Sequence, residues 1–250
     1  TNVAEATVGD TITLANEKSV EALPGYQKVK PFVFAGIYTT DGDDYPLLRE
    51  ALGKLALSDA SLEYIPENSG ALGFGFRCGF LGLLHMDIIR ERLEREFNLD
   101  LIVTIPSVSY EAVKTNNEII SLHSASELPD MSQIKEIREP WTNMEIVTPS
   151  DYIGPIMELI QNRRGVFKTI DYLEETRVVI KAEMPMAQII TDFYDQLKSI
   201  SSGYASMNYE LNEYRASELS KLDILVGGSI IDTLSLLVHR SEAIGVGKNI

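Results

Sequence analysis

Between residues 32 and 105, short apolar runs alternate with segments of helical periodicity. FVFAGIY is an unbroken apolar run that predicts a buried strand, whereas LGLLHMDIIRERLEREF repeats apolar residues at helical spacing. Turn-forming residues separate such segments, and Pro106 ends the last one. The predicted elements are a strand at 32–38, a helix at 44–56, strands at 61–65 and 71–78, a helix at 81–97 and a strand at 99–105.

The helix at 81–97 has the clearest pattern in the chain. Its opposite face is charged, with pairs such as Arg90 and Glu94 one helical turn apart. Burying a large apolar side chain contributes about 1.5–3 kcal/mol, against roughly 0.3–0.5 kcal/mol for such an ion pair, so burial sets the helix orientation. The expected buried stripe is Met86, Ile89, Leu93 and Phe97, widened by Leu84 and Ile88.

After a polar interval, the same order of elements returns. The predicted elements are a strand at 144–148, a helix that ends near Arg163, a hairpin around 174–175, a helix at 186–200 and a strand at 204–214. Gly165 is expected to stop the first of these helices. Two copies of β-α-β-β-α-β predict the α+β class, with two ferredoxin-like sandwiches, each a four-stranded antiparallel sheet with two helices on one face.

The two ends of the chain fit neither copy. VGDTITL, at 8–14, alternates like a strand but has no partner strand before it, so we expect the last strand of a domain that begins upstream. The segment after residue 221 predicts a strand, a Gly-Gly turn and a short helix, which are too little to bury a core. We therefore expect the chain to begin inside one domain and to end inside another.

Composition limits the classes of function. Of the 250 residues 44% are hydrophobic, and 22 basic against 37 acidic side chains give a net charge of −15. This charge opposes non-specific nucleic-acid binding, so any RNA contact needs a local basic patch. No apolar run approaches the roughly 18 residues of a membrane span, and TNVAEATVGD has no features of a secretory signal. The single cysteine excludes an internal disulfide.

The stretch GFGFRCGFLGLLH, at 73–85, has three interpretations: a phosphate-binding loop, a cysteine–histidine active site or tightly packed scaffold. A dinucleotide loop needs G-x-G-x-x-G, but after Gly73 and Gly75 the third glycine is displaced to Gly79. A G-x-x-x-x-G-K-[ST] loop occurs nowhere in the chain. No nucleotide site is therefore predicted.

Cys78 and His85 are the candidate nucleophile and base. Cys78 falls on a predicted strand and His85 on the apolar side of the predicted helix, which favours a buried thiol and a hydrogen-bonded core histidine. A hydrolase that uses the pair is the alternative. The three histidines and one cysteine show no metal-ligand spacing, so we predict neither a metal site nor a catalytic residue.

The glycines are expected to let main chain approach main chain where the strand turns into the helix. Four glycines exceed what one junction needs for packing, so we also expect an exposed backbone that docks against another domain. The candidate docking residues are Gly73, Gly75, Arg77, Gly79, Gly82 and His85. A regulatory module that binds a small molecule between paired ferredoxin-like domains is a further alternative.

Two polar loops of the second copy hold the best candidates for contact with phosphate. Paired arginines suit phosphate and a tyrosine can stack on a base, while helix capping and sheet packing are the alternatives. Because both loops follow helices, we expect them to meet at one end of the sheet as a platform for RNA. The candidates are Arg163, Arg164, Gly165 and Lys168 in QNRRGVFK, and Lys198, Ser199, Gly203 and Tyr204 in LKSISSGYAS.

These motifs also carry a family resemblance. ALGFGFRCGFLGLLHMDIIRERLEREFNLDLIVTIPSVSY resembles the third domain of the LepA family of translational GTPases, also called elongation factor 4. REPWTNMEIVTPSDYIGPIMELIQNRRG, DFYDQLKSISSGYASMNYEL and LSKLDILVGGSIIDTLSLLVHR extend the likeness to most of the chain. The related elongation factor G inserts a whole domain where this chain has the 28 residues 114–141. Departures from the family are Ser202, where arginine is frequent, and Gln188, where glutamate is frequent.

The resemblance implies a domain organisation. It comprises the end of a β-barrel domain and a linker at 1–28, a ferredoxin-like domain at 29–113 similar to domain III of elongation factor G, a linker at 114–141, a ferredoxin-like domain at 142–221 similar to domain V, and the start of a LepA-specific C-terminal domain at 222–250. The first sandwich would dock on an upstream GTPase domain that this chain lacks. The second would contact ribosomal RNA or protein.

The resemblance also implies what the whole protein does. It would hydrolyse GTP with Mg²⁺ in the missing GTPase domain and act on the ribosome, with a proposed role in back-translocation and translation fidelity. No cofactor is expected in this chain. The family is cytoplasmic, with some peripheral association with the inner membrane.

Overall fold

The computed structural model describes residues 10–16, 21 and 30–249, and the chain divides into two units, Thr1–Pro106 and Ser107–Ile250. The first unit contains β1 (Val33–Thr39), α1 (Tyr45–Ser58), β2 (Glu63–Ser69), β3 (Gly73–Phe80), α2 (Leu83–Phe97) and β4 (Leu101–Val103). This is the order that the sequence predicts, with element ends that differ by a few residues.

The sheet of the first unit is antiparallel, with the strand order β2-β3-β1-β4. That order confirms the predicted ferredoxin-like sandwich. Phe76 of β3 stacks on Tyr45 of α1 with ring centroids 5.1 Å apart, so this face of β3 packs on the helices. Since side chains alternate along a strand, Gly75, Arg77 and Gly79 face the other side of the sheet.

Helix α2 buries a narrower stripe than the pattern predicts. Met86, Ile89 and Leu93 are buried, but Leu84 is 74% exposed and Ile88 is 47% exposed. Each residue advances about 100° around a helix, so Leu84 and Ile88 lie roughly 160–200° away from Met86. One sheet cannot cover both sides of a helix, and the predicted widening of the stripe was wrong.

The second unit contains β5 (Ser107–Val108), β6 (Tyr110–Lys114), β7 (Ile119–Leu122), β8 (Ile134–Pro149), α3 (Ile153–Asn162), β9 (Val166–Glu174), β10 (Arg177–Pro185), α4 (Met186–Ile189), α5 (Phe193–Ile200), β11 (Ser206–Ser217), β12 (Leu219–Leu222), β13 (Leu225–Val226), β14 (Ser229–Ile230), β15 (Leu236–His239) and α6 (Ala243–Asn249). Strands β9, β10, β8 and β11 lie side by side in that order and are antiparallel. This arrangement confirms the second ferredoxin-like sandwich, whose second helix is divided into α4 and α5.

The interval 114–141, which we expected to be a linker, is largely built into the second unit. β6 pairs with β7 and with the first half of β8, and β8 runs for 16 residues from Ile134. Pro140 lies inside β8, opposite Tyr214, next to an irregularity in the pairing with β11. A sheet tolerates proline beside such an irregularity, although in a sequence alone proline argues against a central strand.

The ends of the chain differ in how they meet the predictions. In the C-terminal segment β12 pairs with β15, and the hairpin β13–β14 turns at Gly227 and Gly228, which both have positive φ. Residues 10–14 form no strand, while positions 8 and 9 and most of the predicted barrel segment 1–28 lie outside the described residues. No helix among the described residues is long and apolar enough to cross a membrane.

Candidate functional site

The glycines on the helix-free face of the first sheet make room for one aromatic ring. A Cβ atom on Gly75 would lie 2.6 Å from the carbonyl oxygen of Ile37 and 2.7 Å from Cε1 of Tyr38. A Cβ atom on Gly36 would lie 2.7 Å from Cε2 of the same tyrosine. Real Cβ contacts do not come this close, so the ring of Tyr38 depends on glycine at both positions.

Gly79 has the same relation to two other side chains. Its Cβ atom would lie 2.8 Å from Cβ of Pro31 and 3.0 Å from Cε1 of Phe34. Gly73, at the start of β3, has φ +76°, in the region that favours glycine. The close approach that these glycines allow is thus chiefly that of rings to main chain, which corrects the expected approach of main chain to main chain.

Arg77 is part of a polar group that includes Glu67 and Tyr38. Its Nη2 lies 2.6 Å from Oε1 of Glu67, and the hydroxyl of Tyr38 donates to Oε2 of the same carboxylate at 2.8 Å. Gly75, Arg77 and Gly79 are therefore buried. Of the predicted docking residues Gly73 is exposed and Gly82 and His85 are half-buried, and the exposed apolar residues beside them are Phe74, Leu81 and Leu84.

Cys78 and His85 do not form a reactive pair. The thiol of Cys78 is fully buried, its nearest polar partner is the carbonyl oxygen of Phe76 at 3.9 Å, and burial raises its pKa. Nδ1 of His85 accepts the backbone N–H of Leu81 at 3.0 Å, so the ring proton is on Nε2, which lies 2.8 Å from Oδ2 of Asp59. The histidine thus joins the start of α2 to the end of α1. No group of metal-binding side chains occurs among the described residues.

Arg164, rather than Gly165, takes the left-handed position that ends α3. Arg164 has φ +59°, and its N–H donates to the carbonyl oxygen of Gln161 at 3.1 Å. The N–H of Gly165 donates to the carbonyl oxygen of Ile160 at 2.8 Å, which completes a Schellman motif. A Cβ atom on Gly165 would lie 2.5 Å from Cγ2 of Ile160, so glycine is needed there for space.

The guanidinium of Arg164 is held by a buried carboxylate. Nη1 and Nη2 lie 2.8 Å from Oε1 and Oε2 of Glu139, the two-pronged geometry of the strongest ion pairs. Glu139 is 1% exposed. Burial by itself would lower the pKa of Arg164. The hydrogen bonds and the negative charge of Glu139 have the larger effect, so the pKa of Arg164 is raised above its ordinary value. The side chain of Arg164, which we predicted to contact RNA, is instead bound by Glu139 of the same chain.

The other cations of this loop also face acids. Nη2 of Arg163 lies 2.5 Å from Oδ1 of Asp192, the residue before α5. Nζ of Lys168 lies 2.9 Å from Oε1 of Glu183, whose other oxygen pairs with Arg215 at 2.7 Å. The hydrogen bond from Lys168, together with Arg215, lowers the pKa of Glu183. Positive charge in this loop is therefore largely compensated.

The second predicted loop is more open. α5 ends in the same kind of motif as α3, with Ser202 at φ +51° and the N–H of Gly203 donating to the carbonyl oxygen of Lys198 at 2.8 Å. Nζ of Lys198 donates to the carbonyl oxygen of Gly203 at 3.2 Å. Tyr204 is 69% exposed and stacks on Tyr152 with ring centroids 6.3 Å apart. Ser199 is exposed as well.

The two loops lie at opposite ends of the sheet. Arg163 contacts Asp192, just before α5, whereas Tyr204, just after α5, contacts Tyr152, just before α3. The strand registers agree. Strand β11 begins opposite Val147 of β8. Strand β9 begins opposite Glu183 of β10, which in turn lies opposite Asn143 of β8. Val147 and Asn143 are about 13 Å apart along β8. The platform that we expected from both loops together does not form.

Chain direction explains this correction. In a β-α-β-β-α-β sandwich the two helices run antiparallel, so their C-terminal ends point in opposite directions. Tracing the direction of each predicted element would have shown it from the sequence. The acidic partners Glu139, Asp192 and Glu183, by contrast, have no local signal, because each lies on a different element from its cation.

Comparison with known proteins gives a consistent family. Residues 136–225 match the model of the elongation factor G C-terminus. Proteins named Elongation factor 4 match almost the entire chain: one from Synechococcus sp. is 54% identical over 98% of it, one from Clostridium tetani 56% over 99%, and one from Chlorobium chlorochromatii 53% over 100%. The chain spans 41% of the length of each of these relatives.

A solved structure from Thermus thermophilus is similar over 77% of this chain and 42% of its own, at 18% sequence identity and a TM-score of 0.49.

Proposed function

The chain belongs to the elongation factor 4 family, of whose curated members it spans about two fifths, and from this premise we propose that it is the non-catalytic, ribosome-binding part of a translational GTPase. Identity of 53–56% over nearly the whole chain carries the proposal. GTP and Mg²⁺ would bind outside this chain, whose sequence holds no G-x-x-x-x-G-K-[ST] loop. The whole protein would act in back-translocation on ribosomes in the cytoplasm.

In the first unit we assign the docking surface for the GTPase part to the start of α2. Leu84 and Ile88 are exposed apolar residues on the side of α2 opposite its buried stripe, and Leu81, just before α2, is exposed as well. An exposed apolar patch is typical of an interface. Gly73 and Phe74, exposed at the other end of β3, are a second candidate contact. Gly75, Arg77 and Gly79 are buried on the helix-free face of the sheet and are not part of this surface.

In the second unit we assign the ribosome contact to the loop after α5. Tyr204 presents a broad ring surface, and the neighbouring sequence adds a cation and polar groups, Lys198 and Ser199 in the last turn of α5 and Gly203 just before the tyrosine. Stacking between an aromatic side chain and a base contributes about 1–3 kcal/mol. Arg163 and Lys168, at the other end of the sheet, would contribute only if a phosphate replaced their acidic partners. Arg164 and Gly165 act in ending α3.

The net charge of −15 argues against contact between this chain and an anionic membrane surface. We therefore place the membrane association of the whole protein in another part of it.

Cosedimentation of the 250-residue chain with ribosomes at two salt concentrations tests the ribosome contact. Tyr204→Ala should weaken binding about fivefold or more, as the loss of one stacked base predicts. Lys198→Ala should reduce the salt dependence of binding by about one phosphate contact. Tyr172→Ala, which removes an equally exposed tyrosine from β9, is the matched control and should bind like the unchanged chain. Failure of the unchanged chain to sediment with ribosomes would refute the proposal.

A further inference from the structure

Five polar side chains meet where the second sandwich joins the C-terminal segment 236–249. We call them the Arg164 cluster: Tyr110, Glu139, Arg164, Gln188 and Glu242. They come from β6, from β8, from the residue that ends α3, from α4 and from the residue before α6. The five residues are widely separated in sequence, so the cluster is a purely tertiary arrangement.

Arg164 is shared between two carboxylates. Its two terminal nitrogens bind Glu139, and its Nε lies 3.6 Å from Oε2 of Glu242. The same Oε2 accepts a hydrogen bond from Nε2 of Gln188 at 2.9 Å. Nε of Arg164 is buried and makes no hydrogen bond. One guanidinium therefore faces two acids, with a donor left over that points toward Glu242.

Two contacts tie this cluster to the C-terminal segment. Glu242 immediately precedes α6, and its carbonyl oxygen accepts the N–H of Val246, so its backbone begins that helix. The hydroxyl of the buried Tyr110 donates to the carbonyl oxygen of Leu237 in β15 at 3.2 Å. Leu237 of β15 is buried, whereas no side chain of α6 from 243 to 248 is. The polar contacts therefore matter most for the placement of α6.

The backbone conformation of Arg164 also indicates that its side chain has a role. A left-handed conformation costs more for arginine than for glycine, which could end α3 there without that cost. Arginine at this position supplies what glycine lacks, a side chain that reaches Glu139 and Glu242. A buried ion pair is weak evidence for net stability, and in some proteins its role is to specify one arrangement. The strained position is therefore explained by the contacts of the side chain.

We infer that Arg164 is a positioning residue that fixes segment 236–249 on the second sandwich through Glu242, in addition to ending α3. The inference does not depend on ribosome binding. It assigns an internal role to an arginine that the sequence pattern offers as a phosphate contact. It also makes the placement of α6 sensitive to the charge at residues 164 and 242.

Hydrogen–deuterium exchange on the 250-residue chain tests the inference, with peptides that cover 236–249 and, separately, α3. The double variant Glu139→Gln/Arg164→Gly keeps a residue that ends the helix and leaves no buried unpaired carboxylate. Exchange in 236–249 should become about tenfold faster, while α3 keeps its protection. Arg163→Ala, which removes the neighbouring arginine and its pair with Asp192, should leave 236–249 unchanged.

Glu242→Ala removes the other partner of the same contact. Residue 242 is half-buried, so we expect this variant to fold. It should also accelerate exchange in 236–249 about tenfold and leave α3 as it is. Were Arg164 only a helix-ending residue, glycine would serve as well and both variants would exchange like the unchanged chain. That result would overturn the inference. Should the double variant fail to fold, Glu242→Ala is compared with Gln188→Ala, which removes only the other contact of Glu242. Equal exchange in 236–249 for these two variants would overturn the inference.

Discussion

Tyr38 and Gly75 are opposite residues on β1 and β3, and the ring of the tyrosine occupies the space where any other residue at 75 would place its Cβ atom. The ring hydroxyl then reaches Glu67, which in turn binds Arg77. A glycine on one strand thereby allows a buried polar group that spans three strands.

This relationship predicts the effect of a methyl group at residue 75. Gly75→Ala should destabilise the first unit by about 1–3 kcal/mol, because the methyl overlaps Tyr38 and the main chain of Ile37. Chemical denaturation followed by circular dichroism measures the change. Gly70→Ala is the control, since a Cβ atom there meets nothing within 4 Å. Equal stability of the two variants would contradict the packing described for Tyr38.

Cys78 should react only when the first unit unfolds. Burial raises the pKa of its thiol, so little of the reactive thiolate forms at neutral pH, and the sulfur has no path to solvent. Alkylation with iodoacetamide, read by mass spectrometry, should be slow in buffer and fast in denaturant. Fast alkylation of the folded chain at neutral pH would instead support the alternative of a hydrolase that uses Cys78 and His85.

Asp59 should stabilise the first unit above mildly acidic pH. Burial opposes its charged form, but hydrogen bonds from Ser61 and the proximity of His85 outweigh burial, and the pKa of Asp59 is lowered. A carboxylate with a lowered pKa contributes stability above its unfolded value of about 3.9, and this stability is lost as the pH falls through the folded pKa.

Asp59→Asn should therefore cost more stability at pH 7 than at pH 3. Urea unfolding at a series of pH values measures the difference. Asp87→Asn changes an exposed carboxylate on α2 and should show little effect at either pH. A constant loss at every pH would mean that Asp59 acts through shape and not through charge.

Gln188 and Glu242 should be coupled by charge. Gln188→Glu places a second carboxylate within hydrogen-bonding distance of Glu242, so thermal stability should fall at pH 7. Glu242→Gln should recover part of the loss in the double variant, because it removes the like-charge pair without placing a cation beside Arg164. A double-mutant cycle on melting temperature measures the coupling, and strictly additive effects would show that the two side chains do not interact in solution.

Ser202 offers a way to strengthen the proposed ribosome contact. Ser202→Arg adds a cation to the loop beside Tyr204, and both the affinity for ribosomes and its salt dependence should increase, the latter by about one phosphate contact. Ser202→Glu is the control of opposite charge and should weaken binding. Ser202→Gly should instead stabilise the fold by up to about 1 kcal/mol, because relief of the left-handed backbone, about 1–2 kcal/mol, exceeds the entropic cost of glycine, about 0.5–1 kcal/mol.

Much of the fold could be predicted from local patterns. The repeated β-α-β-β-α-β order and the buried positions 86, 89 and 93 of α2 follow from periodicity, which is a property of neighbouring residues. The strand across 134–149 was recognised only in its second half, because Pro140 and the charges around it hide an alternation that partners on both sides stabilise.

The candidate sites were predicted less well. Tyr204 could be recognised as a candidate for stacking and Gly165 as a residue near the end of α3, but Arg164 could not be told from a free arginine. Its partner Glu139 lies 25 residues away on another strand, and no local pattern marks it. The electrostatic character of a loop depends on such distant partners, so composition alone overstates how basic it is.

The sequence by itself determined which segments become helices and strands, and in what order, because apolar periodicity acts over neighbouring residues. That order of elements also fixes chain direction, and with it the ends of the sheet at which the two loops lie. Only the tertiary structure decided which charges meet and which glycines lie under a ring, because those outcomes depend on contacts between residues far apart in sequence, such as Arg163 with Asp192.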